Sequence, residues 1–189
     1  DVVVETLPSG GWYSRILHPY LGESGKLIGA SYPLAVYQKF GWDKERLQSV
    51  LEKNVNWPKL VTTDPVAKGG EVVSAAITEL PDQLNGTVDK ILFIRSLHNL
   101  SRFKKDGAYL DNAIKEAFRV LKPGGIAGVV QHRAQESAPD AWADGSNGYL
   151  KQTKVVAAFE AAGFKFVEAK EINANPKDGT GHPNGIWSL

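Results

Sequence analysis

Three β-branched residues in succession, Val2, Val3 and Val4, end in an acid, Glu5, and run almost at once into Pro8-Ser9-Gly10-Gly11. A strand that is apolar at consecutive positions has to be covered on both faces, which a sheet with one wet face cannot provide. Trp12, Ile16 and Leu17 then recur at near-helical spacing, so the opening unit reads as strand, tight glycine-containing loop and helix. In an open parallel sheet, ligands bind in the crevice beyond the carboxyl ends of the strands. Glu5, Leu7, Pro8, Ser9, Gly10, Gly11 and Trp12 are therefore expected at the floor of a nucleotide-type site, with Glu5 accepting hydrogen bonds from hydroxyl or ammonium donors.

The rest of the chain repeats the alternation. Lys26 to Ser31 reads as a second strand, and helical pieces follow over 33–40 and 43–53, split at Gly41, with Asp43 as N-cap. Residues 54–70 lack a clear period and read as a loop or cap with one possible helix. Further strands are expected over 71–78, 90–94, 126–130 and 164–172, the last from its alternation of Phe164, Phe166 and Val167 with Lys165, Glu168 and Lys170. The best helix places Leu110, Ile114, Ala117, Phe118 and Leu121 on one face and stops at Lys122-Pro123-Gly124-Gly125, and another is expected over 150–162. No internal repeat is visible. The expected fold is α/β, a Rossmann-like, doubly wound, mostly parallel sheet with helices on both faces, in a single domain over 1–189.

Composition narrows the partners. With 22 Lys and Arg against 21 Asp and Glu, scattered along the chain, there is no basic excess to announce nucleic acid or a membrane surface. No apolar run is long enough to span a bilayer. Cys is absent, so thiolate chemistry and disulfides are excluded. Met is absent too and the chain opens on Asp1, which points to a fragment, a processed form, or a sequence from which residues are missing, incomplete at both ends.

Polar, chemically capable side chains gather where strands are expected to end. Arg95, His98 and Asn99 follow the fourth strand and supply a cation, a titratable imidazole and an amide. His132 and Arg133 follow the fifth. Asn173, Asn175, Lys177 and Asp178 form a polar terminus able to close over the site. His98, His132, His182 and Asp178 show no ligand pair at metal spacing, so no metal is expected. Among the tryptophans, Trp12 is the one placed to stack on a planar ligand.

The stretches ETLPSGGWYSRIL, IRSLHNL, LKPGGIAGVVQHRA and EINANPKD, spread over most of the chain, resemble the class I S-adenosylmethionine-dependent methyltransferases. LKPGG is common across that broad family. IRSLHN and EINANPKD resemble a narrower bacterial group known only as predicted methyltransferases. In the broad family the first loop is acidic-x-Gly-x-Gly-x-Gly; Glu5 and Gly11 match it, whereas Leu7 and Ser9 stand at the first two glycines, and Ser31 stands where an acid commonly anchors the ribose.

The resemblance implies S-adenosylmethionine as cofactor, bound beside Glu5 to Trp12 and Ser31. It also implies a small-molecule methyl acceptor near His132, Arg133, Asn173 and Asn175, a catalytic group of His98 with Arg95 and Asn99, and a cytoplasmic location. His98 is expected to face the crevice and to serve as base when the acceptor carries a proton. The competing readings are a non-catalytic binding protein that keeps the fold with a degenerate cofactor site and, more weakly, a Rossmann oxidoreductase, which Leu7 and Ser9 disfavour.

Overall fold

The computed structural model describes residues 1–65, 68–175, 179–180 and 182–188. The chain runs β1 (Val2–Thr6), α1 (Ser14–Leu21), β2 (Lys26–Ser31), α2 (Leu34–Gln38), α3 (Lys44–Thr62), β3 (Glu71–Ala76), β4 (Val88–Ile94), α4 (Leu97–Arg102), α5 (Tyr109–Val120), β5 (Leu121–Val130), β6 (Arg133–Ala134), β7 (Leu150–Lys151) and α6 (Gln152–Ala161). Five strands form one parallel sheet in the order β3-β2-β1-β4-β5, and β6 and β7 pair separately. The order reverses between β1 and β4, so the switch point of the sheet lies beyond Thr6 and Ile94.

The valine run behaves as its composition requires. Val3 joins Leu27, Trp57 and Val61 on the α1 and α3 face, while Val4 joins Ile28, Ile91 and Phe93 on the other. On the first face the indole of Trp57 lies directly on β2: a Cβ placed on Gly29 would stand 2.5 Å from the ring. Gly29 is paired with Glu5 on β1, so Trp57 spans the two strands just short of their carboxyl ends.

Three elements differ from the sequence reading. Helix α3 continues beyond the expected end at residue 53, through the first half of the aperiodic stretch to Thr62 despite Pro58, because Trp57 and Val61 are buried on its inner face. Pro58 cannot donate to the carbonyl of Asn54, and Ser74 Oγ on β3 donates to that carbonyl instead, at 3.0 Å. Residues 97–102, to which the sequence pattern assigns no element, form α4. The strand expected over 164–172 is not formed: these residues belong to no strand, and Phe166, Val167 and Ile172 are exposed. Phe164 alone packs, against Phe118 and Phe159. A period-two pattern folds as a strand only beside a partner edge, and none of the described strands pairs with it.

Gly29→Ala should destabilise the protein by about 2–3 kcal/mol, because the methyl group must displace a close-packed indole. Urea denaturation followed by far-ultraviolet circular dichroism measures it; an unchanged midpoint would contradict the packing described.

Candidate functional site

The carboxyl ends of β1, β2 and β4 meet in a buried polar layer. Thr6 Oγ1 and Ser96 Oγ are hydrogen-bonded at 2.7 Å, and the Tyr32 hydroxyl donates to the Ser96 carbonyl at 2.6 Å. With its proton committed, the Tyr32 oxygen is left to accept from Asn99 Nδ2 at 3.4 Å. That accounting fixes the amide's orientation and leaves Asn99 Oδ1 as a buried acceptor without a donor among the described residues. An unmet buried acceptor costs about 1–3 kcal/mol, so the layer is built to receive one more N–H or O–H.

Above it runs the loop from Leu7 to Tyr13. Leu7 and Ser9 have φ of 53° and 48°, and Gly11 has 76°. Leu7 and Ser9 thus hold the left-handed backbone that glycine adopts freely. Leu7 turns its side chain onto the main core, leaving its backbone to shape the loop. Its N–H donates to Ala30 O at 2.8 Å, and Gly11 N–H donates to Pro8 O at 2.8 Å. A Cβ on Gly10 would meet nothing within 4 Å. Arg95, exposed at the end of β4, is the third non-glycine residue with positive φ among the described residues, at 52°. Such strain, about 1–2 kcal/mol per residue, persists where surrounding contacts impose it and clusters at functional sites. All three strained residues flank the switch point.

Glu5 is 1% exposed and does not open onto the crevice as expected. Its carboxylate accepts from Ser14 Oγ at 2.7 Å, and Ser14 Oγ accepts from Trp57 Nε1 at 3.1 Å. The chain Trp57 to Ser14 to Glu5 ties α3, the start of α1 and the end of β1 together. Burial pushes the Glu5 carboxyl up to about 7, with the Ser14 bond acting the other way.

His98 is also covered. It is 4% exposed, because Trp187 lies 5.6 Å away ring to ring and Gln131 Oε1 sits 3.3 Å from its Nδ1. Burial lowers its pKa to about 4, so the ring is neutral at pH 7. The expectation of an imidazole open to the crevice is thus corrected: the segment that carries it is a helix packed under the C-terminal turn.

Other expected residues divide. Ser31 is buried, its carbonyl accepting from Ile77 N–H, and offers no carboxylate at the end of β2. Trp12 is exposed, edge-on to Tyr13. His132 lies against Tyr149 at 6.0 Å. Arg133 is engaged outward by Glu171, at 2.6 and 2.7 Å, and by Gln152, which corrects its assignment to the substrate side. Asn173 and Asn175 are exposed beyond α6, and Lys177 and Asp178 lie outside the described residues. Thr6, Ser14, Tyr32, Trp57 and Ser96 were missed; for Thr6, Tyr32 and Ser96 the available signal was their place at strand ends.

A methyltransferase-domain family model matches residues 44–129. Among solved structures, an arsenic(III) S-adenosylmethionine methyltransferase from Chlamydomonas reinhardtii superposes with a TM-score of 0.57 at 16% identity, covering 86% of this chain and 51% of that one. An S-adenosylmethionine-dependent methyltransferase from Aquifex aeolicus gives 0.55 at 19%, covering 87% and 72%. The 4+2 cyclase SpnF gives 0.55 at 19%, covering 88% and 52%. This chain thus spans about half the length of two of these three. Among curated proteins none matches.

Because its folded pKa is raised, Glu5 contributes stability that is complete below about pH 4.5 and is lost as pH rises to about 7. Glu5→Gln should therefore unfold at higher denaturant than the parent at pH 8, by about 2–3 kcal/mol, with the gap closing near pH 4.5. Parallel pH profiles of the two proteins would refute this account. The reversed strand order and the superpositions give this chain the Rossmann-like α/β fold of its solved neighbours, and the methyltransferase-domain model covers the part of it over residues 44–129.

Proposed function

We propose that this chain is the cofactor-binding part of a methyltransferase acting on a small molecule in the cytoplasm. The observation that carries the reading is the left-handed backbone at Leu7 and Ser9: the glycines are gone and their conformation is kept. Retaining strain at two positions makes sense where the loop's path, more than its stability, is under demand. The unmet Asn99 carbonyl oxygen, in the polar layer below, fits a donor-bearing ligand.

The cofactor supplies a methyl group on a sulfonium, which passes in line to a nucleophile and leaves S-adenosylhomocysteine. The protein's own task is to hold and orient. In this reading the backbone of residues 7–11, with Trp12, would hold the cofactor. Glu5 acts from beneath, fixing the start of α1. Arg95 and Asn99 orient the ligands from the β4 side, and His132 borders the acceptor. His98 takes the acceptor's proton only once its cover is lifted, since an imidazole held at about 4 is a poor base at neutral pH.

One observation favours the alternative of a binding protein with a degenerate cofactor site: Ser31 puts no acid at the end of β2. The cyclase among the similar structures also shows that the fold hosts other chemistry. Calorimetry with S-adenosylhomocysteine separates the two, a dissociation constant in the micromolar range supporting the enzyme and an absence of heat at millimolar ligand supporting the alternative.

Gly10→Leu is the sharper variant. Gly11 already has positive φ, so a side chain there strains the fold itself, whereas one at Gly10 enters open space. Gly10→Leu should leave the melting temperature within about 2 °C and weaken S-adenosylhomocysteine binding about tenfold or more. Unchanged affinity would move the cofactor off this loop.

A further inference from the structure

The cover over His98 is made by two segments distant in sequence. The 142–149 loop sits on α4, where Gly145 leaves no room for a Cβ beside the His98 carbonyl. Residues 185–187 then lie across that loop. Ile186 N–H donates to Asn147 O at 3.1 Å, Trp187 Nε1 donates to Ser146 O at 2.8 Å, and the Ile186 side chain fills the space above Gly148 and packs with Ala134, Ala143 and Tyr149. The indole of Trp187 reaches His98 at 5.6 Å while remaining 52% exposed. Gln131 completes the enclosure, sitting beside His98 Nδ1 and donating through Nε2 to Gly148 O at 2.9 Å.

We propose that residues 185–187 form a strap that closes the β4–β5 end of the crevice over His98, and that Trp187 is its gate. The reading of that end as the acceptor side is the one argued above. Two features distinguish a gate from core packing. Among the described residues the strap is held to the 142–149 loop by two hydrogen bonds and one small apolar cluster, and the ring that covers His98 is itself half in water. What it hides is the one histidine on the segment after β4, whose use requires contact with a ligand.

Closure is coupled to protonation. The groups that act on His98 are His132 from the end of β5 and Arg95 and Arg102 from its own segment, all of which oppose a positive charge; Gln131, Trp187 and Gly145 are neutral. Covered, the ring is held at about 4; uncovered, it returns toward 6.5. Lowering the pH through that window therefore favours the open strap by about tenfold per unit.

The test is nuclear magnetic resonance on the whole chain. In the parent the His98 ring should titrate near 4, and in Trp187→Ala the midpoint should climb by more than about one unit toward 6.5. The Trp187 indole N–H signal, identified by its loss in Trp187→Phe, should move to its solvent-exposed position with the same midpoint as His98 in the parent. A parent His98 that already titrates near 6.5, a midpoint unmoved by Trp187→Ala, or an indole signal flat across the His98 transition would each overturn the proposal. The readout needs no cofactor, so a protein that binds no S-adenosylhomocysteine but shows the linked titration loses the methyltransferase reading and keeps the strap.

Discussion

The contact on which the site depends is the indole of Trp57 against the bare backbone of Gly29. It seats α3 on the sheet at the one level where a ring nitrogen can reach Ser14, and through Ser14 the carboxyl of Glu5. Helix, loop exit and first strand are thereby fixed to one another beneath the crevice. A burial that raises the Glu5 carboxyl to about 7 is unfavourable for a charged acid at neutral pH. The compensation is positional: the start of α1 is pinned, and with it the far end of the loop that begins at Leu7.

That pinning explains how two side-chain-bearing residues hold a glycine conformation. The loop is anchored at one end by Leu7 N–H on Ala30 O and by the burial of the Leu7 side chain, and at the other by Ser14. Between fixed ends the chain has few paths, and the left-handed one costs about 1–2 kcal/mol per residue, less than giving up those anchors. The loop therefore holds a left-handed path at residues that carry side chains. Glu5 contributes here from below the crevice, as part of the support for the loop.

Much of the fold was legible in the sequence for a simple reason. Strands buried on both faces, β1, β2 and β4, are written as unbroken apolar runs, and α5 carries a clean helical face; neither depends on distant partners. The failures depend on partners. The end of α3 is helical because Trp57 and Val61 find the sheet and because Ser74 answers the carbonyl that Pro58 leaves open, and no local pattern announces either. Residues 164–172 have the alternation of a strand, and none of the described strands pairs with them. At the site, the loop and the polar ends of β4 and β5 were visible as motifs. The burial of His98, the outward pairing of Arg133 with Glu171 and the Tyr32–Asn99 layer arise from elements far apart in sequence.

The central claim, that a strained loop without its usual glycines still holds the cofactor, is tested most directly by amide hydrogen exchange with and without S-adenosylhomocysteine. The account predicts slowed exchange at residues 7–13 and 95–99, the two segments that flank the switch point, with the outer face of α5 unchanged. Protection absent from residues 7–13, or confined to the surface around Arg133 and Gln152, would contradict it.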